Sequence, residues 1–113
     1  MRRFAMTVLL KDDPEIIRRY EEYHAAPWPE VVEGIHGIGV RRIFIYRYGR
    51  QLFMFMETVD DFDMQRDFPK YMTDPRAKEW DELMRSFQEP VPGAPAGETW
   101  VEMEEIFTDD QTA

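Results

Sequence analysis

Val40-Arg41-Arg42-Ile43-Phe44-Ile45-Tyr46-Arg47-Tyr48-Gly49-Arg50-Gln51-Leu52-Phe53-Met54-Phe55-Met56-Glu57-Thr58 is the stretch whose reading decides the fold. Two runs rich in β-branched and aromatic residues flank the pair Gly49-Arg50. A two-residue connection with a glycine predicts a β-hairpin with arms Val40 to Tyr48 and Gln51 to Thr58. The second arm is unusual. Leu52-Phe53-Met54-Phe55-Met56 is apolar at every position, so both faces of that strand carry hydrophobic side chains. A single layer of helices covers only one face of a sheet, which leaves the other wet. Pairing two such sheets across a two-fold axis covers both, and a homodimer is therefore expected.

Working outward, Arg3 to Leu10 alternates well enough for a first strand. Asp13-Pro14 opens a helix, with Asp13 as N-cap and Pro14 in the first helical position. Ile16, Ile17, Tyr20, Tyr23 and His24 line one face of it. Pro27 and Pro29 restrict the residues before them, so this helix ends near Ala25. Pro29-Glu30 starts a second helical piece with Val31, Val32 and Ile35, which Gly34, Gly37 and Gly39 weaken and stop. Asp60 to Met72 is acidic and aromatic and is expected to be helical in part. Thr73-Asp74-Pro75 starts a clear helix in which Trp80, Leu83, Met84 and Phe87 recur at helical spacing. Pro90 to Gly97 forms a loop, and Trp100 to Phe107 reads as a closing strand. The order βαββαβ is that of an α+β, ferredoxin-like domain with its helices on one face of an antiparallel sheet. Residues 1–108 form one domain in this reading, and 109–113 a frayed polar tail.

Composition narrows the function. A chain of 113 residues holds one domain, and 43% hydrophobic with 14% aromatic content argues against disorder. No apolar run is long enough to span a membrane. The first residues read as a strand rather than a signal peptide, because Lys11-Asp12-Asp13 follows a short alternating segment. There is no cysteine, which removes disulfides and thiolate chemistry and fits a reducing cytoplasm. A formal net charge of −9 opposes nucleic-acid binding, and the arginine pairs 2–3, 18–19 and 41–42 form no stripe. A neutral small molecule or another protein is the expected partner.

Few residues can carry chemistry. His24 and His36 have no metal-ligand spacing, and no phosphate loop, dinucleotide fingerprint or nucleophile elbow occurs. Neither a metal nor a cofactor is expected, and proton transfer is the accessible chemistry. The densest cluster runs from Tyr20 to Glu30. Tyr20 and His24 are four residues apart and share a helix face. His24 lies in the last turn, where the helix dipole favours its protonated form and so suits it to act as a general acid. Each residue also has a plainer reading: Tyr20 and His24 as packing, Trp80 as core, Trp28 as a staple at a helix start, Trp100 as structural and His36 as surface. The methionines read as core filler.

The run Tyr20-x-x-x-His24-x-x-x-Trp28-Pro29-Glu30, the hairpin end Phe53-Met54-Phe55-Met56-Glu57, the helix from Asp74-Pro75 to Trp80 and the closing segment Val101 to Phe107 together resemble the L-rhamnose mutarotase family. The resemblance spans Arg3 to about Phe107. It implies a dimeric α+β barrel, no metal, His24 as proton donor, and Tyr20 and Trp80 as sugar contacts. Two positions depart from it. L-rhamnose enzymes of the family carry a tyrosine where this chain has Ile43, and a Trp-Trp pair where it has Glu79-Trp80. Both positions are implied substrate contacts, and their change opens L-fucose as a substrate beside L-rhamnose.

The expected reaction is interconversion of the anomers of a 6-deoxy-L-hexose. Trp80 would stack on the sugar, with Trp28, Ile43 and Glu79 as further contacts. The base is left open, Glu79 being one candidate. Two other readings use the same fold: another cofactor-free dimeric barrel enzyme (a small isomerase or monooxygenase), and a non-catalytic sugar-binding dimer.

Overall fold

A computed structural model describes residues 1–110. Its strands and helices, in chain order, are β1 (Arg2–Leu10), α1 (Pro14–Ala25), α2 (Pro29–Gly37), β2 (Val40–Tyr48), β3 (Gln51–Thr58), α3 (Met64–Tyr71), α4 (Pro75–Ser86), β4 (Gln88–Glu89) and β5 (Val101–Met103). The hairpin has the expected arms. β2 pairs with β3 from Tyr48↔Gln51 to Val40↔Thr58, with a bulge between Val40 and Arg42. Gly49 takes φ +60°, the left-handed backbone that lets a two-residue turn match the strand twist.

β3 also pairs antiparallel with β1, and the other edge of β1 receives both β4 and β5, so the sheet order is β2-β3-β1 followed by β4 and β5 along one edge. β1 and β2 are both antiparallel to β3 and hence parallel to each other. The same holds for β3 and β4 about β1. Each parallel pair needs a crossover, and crossovers of one hand place all the helices on the same face of the sheet. This is the α+β, ferredoxin-like arrangement read from the sequence.

The closing strand differs from expectation. It is split in two, and its second part ends at Met103 rather than Phe107. β4 faces Leu9 and Leu10; were it continued, Thr7 would face position 91, but it faces Val101. The Pro-rich segment between them is looped out, as residues without a usable backbone N–H require. Beyond Met103 the chain keeps to β1 through side chains: Arg3 Nε binds Glu105 at 2.7 Å, and Arg3 binds Thr108 at 3.0 Å. Ile106 and Phe107 are exposed. Of the tail expected after Thr108, residues 111–113 lie outside the described residues.

Asp13, Asp63 and Asp74 cap α1, α3 and α4, each accepting a backbone N–H in the following turn. Beneath the helices the core forms two clusters. The larger joins Val8, Leu10 and Leu52 of the sheet to Tyr20, Val31, Tyr71, Trp80, Met84 and Phe87. The smaller joins Phe4, Val40, Met56 and Phe62. Between them runs the cross-strand row Ile45–Met54–Met6, which points toward the helices yet is only partly buried. The helical roof is thus incomplete over the middle of the sheet. Gly34 lets α2 meet α3 closely, since a Cβ there would lie 2.8 Å from the Tyr71 ring.

Candidate active site

α1 positions the polar-aromatic pair. Tyr20 is buried, at 3% exposure, and its ring lies 4.3 Å from that of His24 in a stacked arrangement. The i, i+4 spacing places them together, and the Ala26-Pro27 break leaves His24 in the last turn. Nδ1 of His24 lies 2.8 Å from the Tyr20 carbonyl oxygen. A carbonyl only accepts, so Nδ1 carries a proton and Nε2 of the neutral ring carries the lone pair. Among the described residues, Gln88 Oε1 alone is a buried side-chain polar atom without a partner. Nε2 has no partner either, so it is open to the outside.

α4 brings in the other wall. Trp80 lies edge-on to His24 at 5.4 Å, to Trp28 at 5.1 Å and to Tyr23 at 6.0 Å. Trp28 is the N-cap residue of α2, so residues of α1, α4 and the start of α2 meet around the Trp80 ring. Arg76 covers the outside of this group, its guanidinium 3.8 Å above the Trp28 ring.

Burial decides the protonation. It holds the His24 pKa below the ordinary histidine value and outweighs the Tyr20 carbonyl, which acts in the opposite sense. The protonated imidazole expected from the helix dipole is therefore not favoured: burial shifts the ring toward its neutral form. Burial also pushes the Tyr20 phenol up to about 12, against a hydrogen bond from Gln88. Tyr20 thus keeps its proton. A neutral imidazole with an outward lone pair can take a proton from a hydroxyl and return it.

Of the residues singled out from the sequence, His24, Tyr20, Trp80 and Trp28 come together. Ile43 and Glu79 do not join them by direct contact. Ile43 packs against the smaller core cluster. Glu79 is exposed and binds Arg76 at 3.0 Å, which places it at the outer rim beside Trp28. His36 is exposed, with Nδ1 against the Val40 carbonyl, and Trp100 packs on the larger core cluster. The arginine pairs are spread over separate contacts: Arg18 binds Glu15 and Glu22, and Arg42 binds Glu57. Sequence reading missed Arg76 and Gln88. Arg76 carried a signal, its i, i+3 spacing to Glu79. Gln88, buried on a two-residue strand, carried none. Among the described residues no three His, Asp or Glu side chains group as metal ligands, and no helix is long and apolar enough to cross a membrane.

Comparison with known proteins gives this geometry a context. A family model described as L-rhamnose mutarotase matches residues 3–108. A UPF0734 protein of Dictyostelium discoideum is 39% identical over 108 residues, covering 92% of this chain and 86% of its own. An L-fucose mutarotase of Xanthomonas campestris is 36% identical over 109 residues, covering 95% and 87%. The crystal structure of an L-rhamnose mutarotase from Formosa agariphila superposes with a TM-score of 0.69 at 21% identity, over 97% of this chain and all of that one, and establishes likeness of fold. Since the family model spans nearly the whole chain and the residues around His24 lie within it, this protein belongs to the L-rhamnose mutarotase family.

Proposed function

We propose that the protein is a mutarotase interconverting the α and β anomers of a 6-deoxy-L-hexose, L-fucose or L-rhamnose, by acid–base ring opening and closing. The observation that carries this reading is the open Nε2 of His24, a neutral imidazole fixed at Nδ1 and walled by Trp80. Nε2 takes the proton of the anomeric hydroxyl as the bond between C1 and the ring oxygen breaks, and the ring oxygen takes a proton from water. The open aldehyde turns about C1–C2, and the ring oxygen attacks the other face of C1 and returns its proton to the hydroxide left by that water. The imidazolium, now the acid, returns its proton to O1. One histidine serves as base and acid in turn, and no net proton is consumed.

Trp80 and Trp28 supply apolar walls for the ring, and the partly buried row Ile45–Met54–Met6 supplies room beneath the helices. L-fucose is handled at least as well as L-rhamnose in this reading. Its support is the L-fucose mutarotase relative. Glu79 reaches the sugar side through Arg76. The open sheet face carries Phe44 against Phe55 and Tyr46 against Phe53, an aromatic surface suited to a second copy in a homodimer. A cysteine-free chain of this kind suits the cytoplasm.

Exchange NMR of the anomeric protons of L-fucose and L-rhamnose, with and without protein, tests the activity. Acceleration of one or both sugars is expected, and the H24Q variant should lower it by about 10²–10⁴-fold. A parent that accelerates neither sugar, or a folded H24Q at the parent rate, overturns the reading.

A further inference from the structure

Gln88 stands on β4 directly after α4, and its side chain is buried. Its Nε2 donates to the Tyr20 hydroxyl oxygen at 3.3 Å. Its Oε1, as noted, has no partner. A buried acceptor left unpaired is unfavourable, and turning the amide over would only orphan its nitrogen instead. An apolar side chain of the same size would fill the position and remove that orphaned acceptor, at the cost of the bond to Tyr20. The amide therefore needs a reason other than packing.

Its one partner indicates the reason. Tyr20 supports His24 in two ways: its ring stacks on the imidazole at 4.3 Å, and its carbonyl accepts from Nδ1 at 2.8 Å. We propose that Gln88 is a positioning residue of the site, its amide pinning the Tyr20 phenol and, through the stacked ring, holding the His24 imidazole with Nε2 turned outward. The inference rests on the mutarotase reading for its kinetic readout only. It changes the part played by Tyr20, which becomes the support under His24 rather than a sugar contact. Buried polar networks of this kind restrict rotamers, and an imidazole held in one orientation keeps its lone pair aimed at the reacting proton.

The test is Q88M, which keeps the side-chain length and removes the amide together with its orphaned atom. The melting temperature should change little, because the orphaned Oε1 is removed while the Tyr20 hydroxyl loses its partner. The kcat for anomer exchange should fall by about tenfold with KM nearly unchanged, the pattern of a group that acts on the transition state alone. Y20F removes the other end of the same hydrogen bond. It should fall similarly, and the double variant should fall no further than either single one. Should Q88M fail to fold, Y20F carries the test. A titration of His24 Cε1–H by NMR, with His36 as the internal standard, requires no activity. Its midpoint should rise in Q88M toward the ordinary value of about 6.5 as the loosened ring admits water. A folded Q88M with parent kcat, KM and His24 midpoint overturns the inference. A moved midpoint in a protein that exchanges neither sugar sustains the inference and removes the mutarotase reading.

Discussion

On β3, Leu52 and Met56 point toward the helices and are buried, whereas Phe53 and Phe55, their immediate neighbours in sequence, point to the other side and stay half-exposed. The same contrast holds for the whole sheet. One face is roofed by four helices of its own chain. The other presents Phe44, Phe53 and Phe55 with Tyr46, Tyr48 and Met103, the last three at 62%, 91% and 46% exposure. Both faces are rich in apolar side chains, so composition does not distinguish them. The crossovers do, because both run over the same side. The roofed face supplies the core, and the helices that roof it carry the candidate site. The open face has no such cover from its own chain among the described residues.

The comparison can be broken by substitutions matched across one strand. The largest effect on folding is expected on the roofed side. L52A deletes a side chain at 2% exposure and should lower the unfolding free energy by about 2–5 kcal/mol in a denaturant titration. If the roofed face were not the core, the loss would be far smaller. F53D, one residue away, should lower monomer stability by only about 1 kcal/mol. Its main effect should be on assembly: sedimentation should report twice the 13.6 kDa chain mass for the parent and the single mass for the variant. A parent sedimenting as the monomer at micromolar concentration would show that no second copy covers this face.

A pH profile sharpens the same contrast at the site. Burial under the helices lowers the His24 pKa, so the neutral, proton-accepting form persists below the ordinary value of about 6.5. The sign follows: kcat/KM should hold steady from neutral pH down past 6.5, then fall with acid, with its midpoint below 6.5. A midpoint above 6.5 would mean that His24 is not held in a water-poor setting. The smallest effect is expected at Tyr48, on the open side near the hairpin turn. Y48S should change monomer unfolding by no more than about 0.5 kcal/mol. A larger loss that appears only at high protein concentration would extend the intersubunit surface to the turn.

Much of the fold was legible because it is written locally. Gly49-Arg50 between two β-rich runs, Asp13-Pro14 and Asp74-Pro75 act within a few residues of themselves, and the elements they start lie where the pattern puts them. The closing strand was misread for the opposite reason. Val101 to Phe107 alternates well enough for a strand, but a strand also needs a neighbour, and ladder pairing with β1 extends only from Val101 to Met103. Gln88-Glu89 has no strand pattern at all and becomes β4 only because Leu9 and Leu10 lie beside it. The site divides in the same way. Tyr20 and His24 on one helix face follow from a spacing of four. The arrival of Trp80 at that imidazole, the seat of Glu79 on Arg76 and the burial of Gln88 do not.

The sequence by itself determined the element order as far as α4, the starts of α1, α2 and α4, the hairpin, the excess of apolar side chains on both sheet faces and the proton-transfer candidate. Only the tertiary structure decided which face is roofed, that the roof is open over Met6 and Met54, and that His24 is neutral with Nδ1 committed and Nε2 free. Periodicity and capping are interactions between near neighbours in the chain, so the sequence displays them directly. Burial, and with it a pKa, depends on which distant segments exclude water from a side chain, and no local pattern records that.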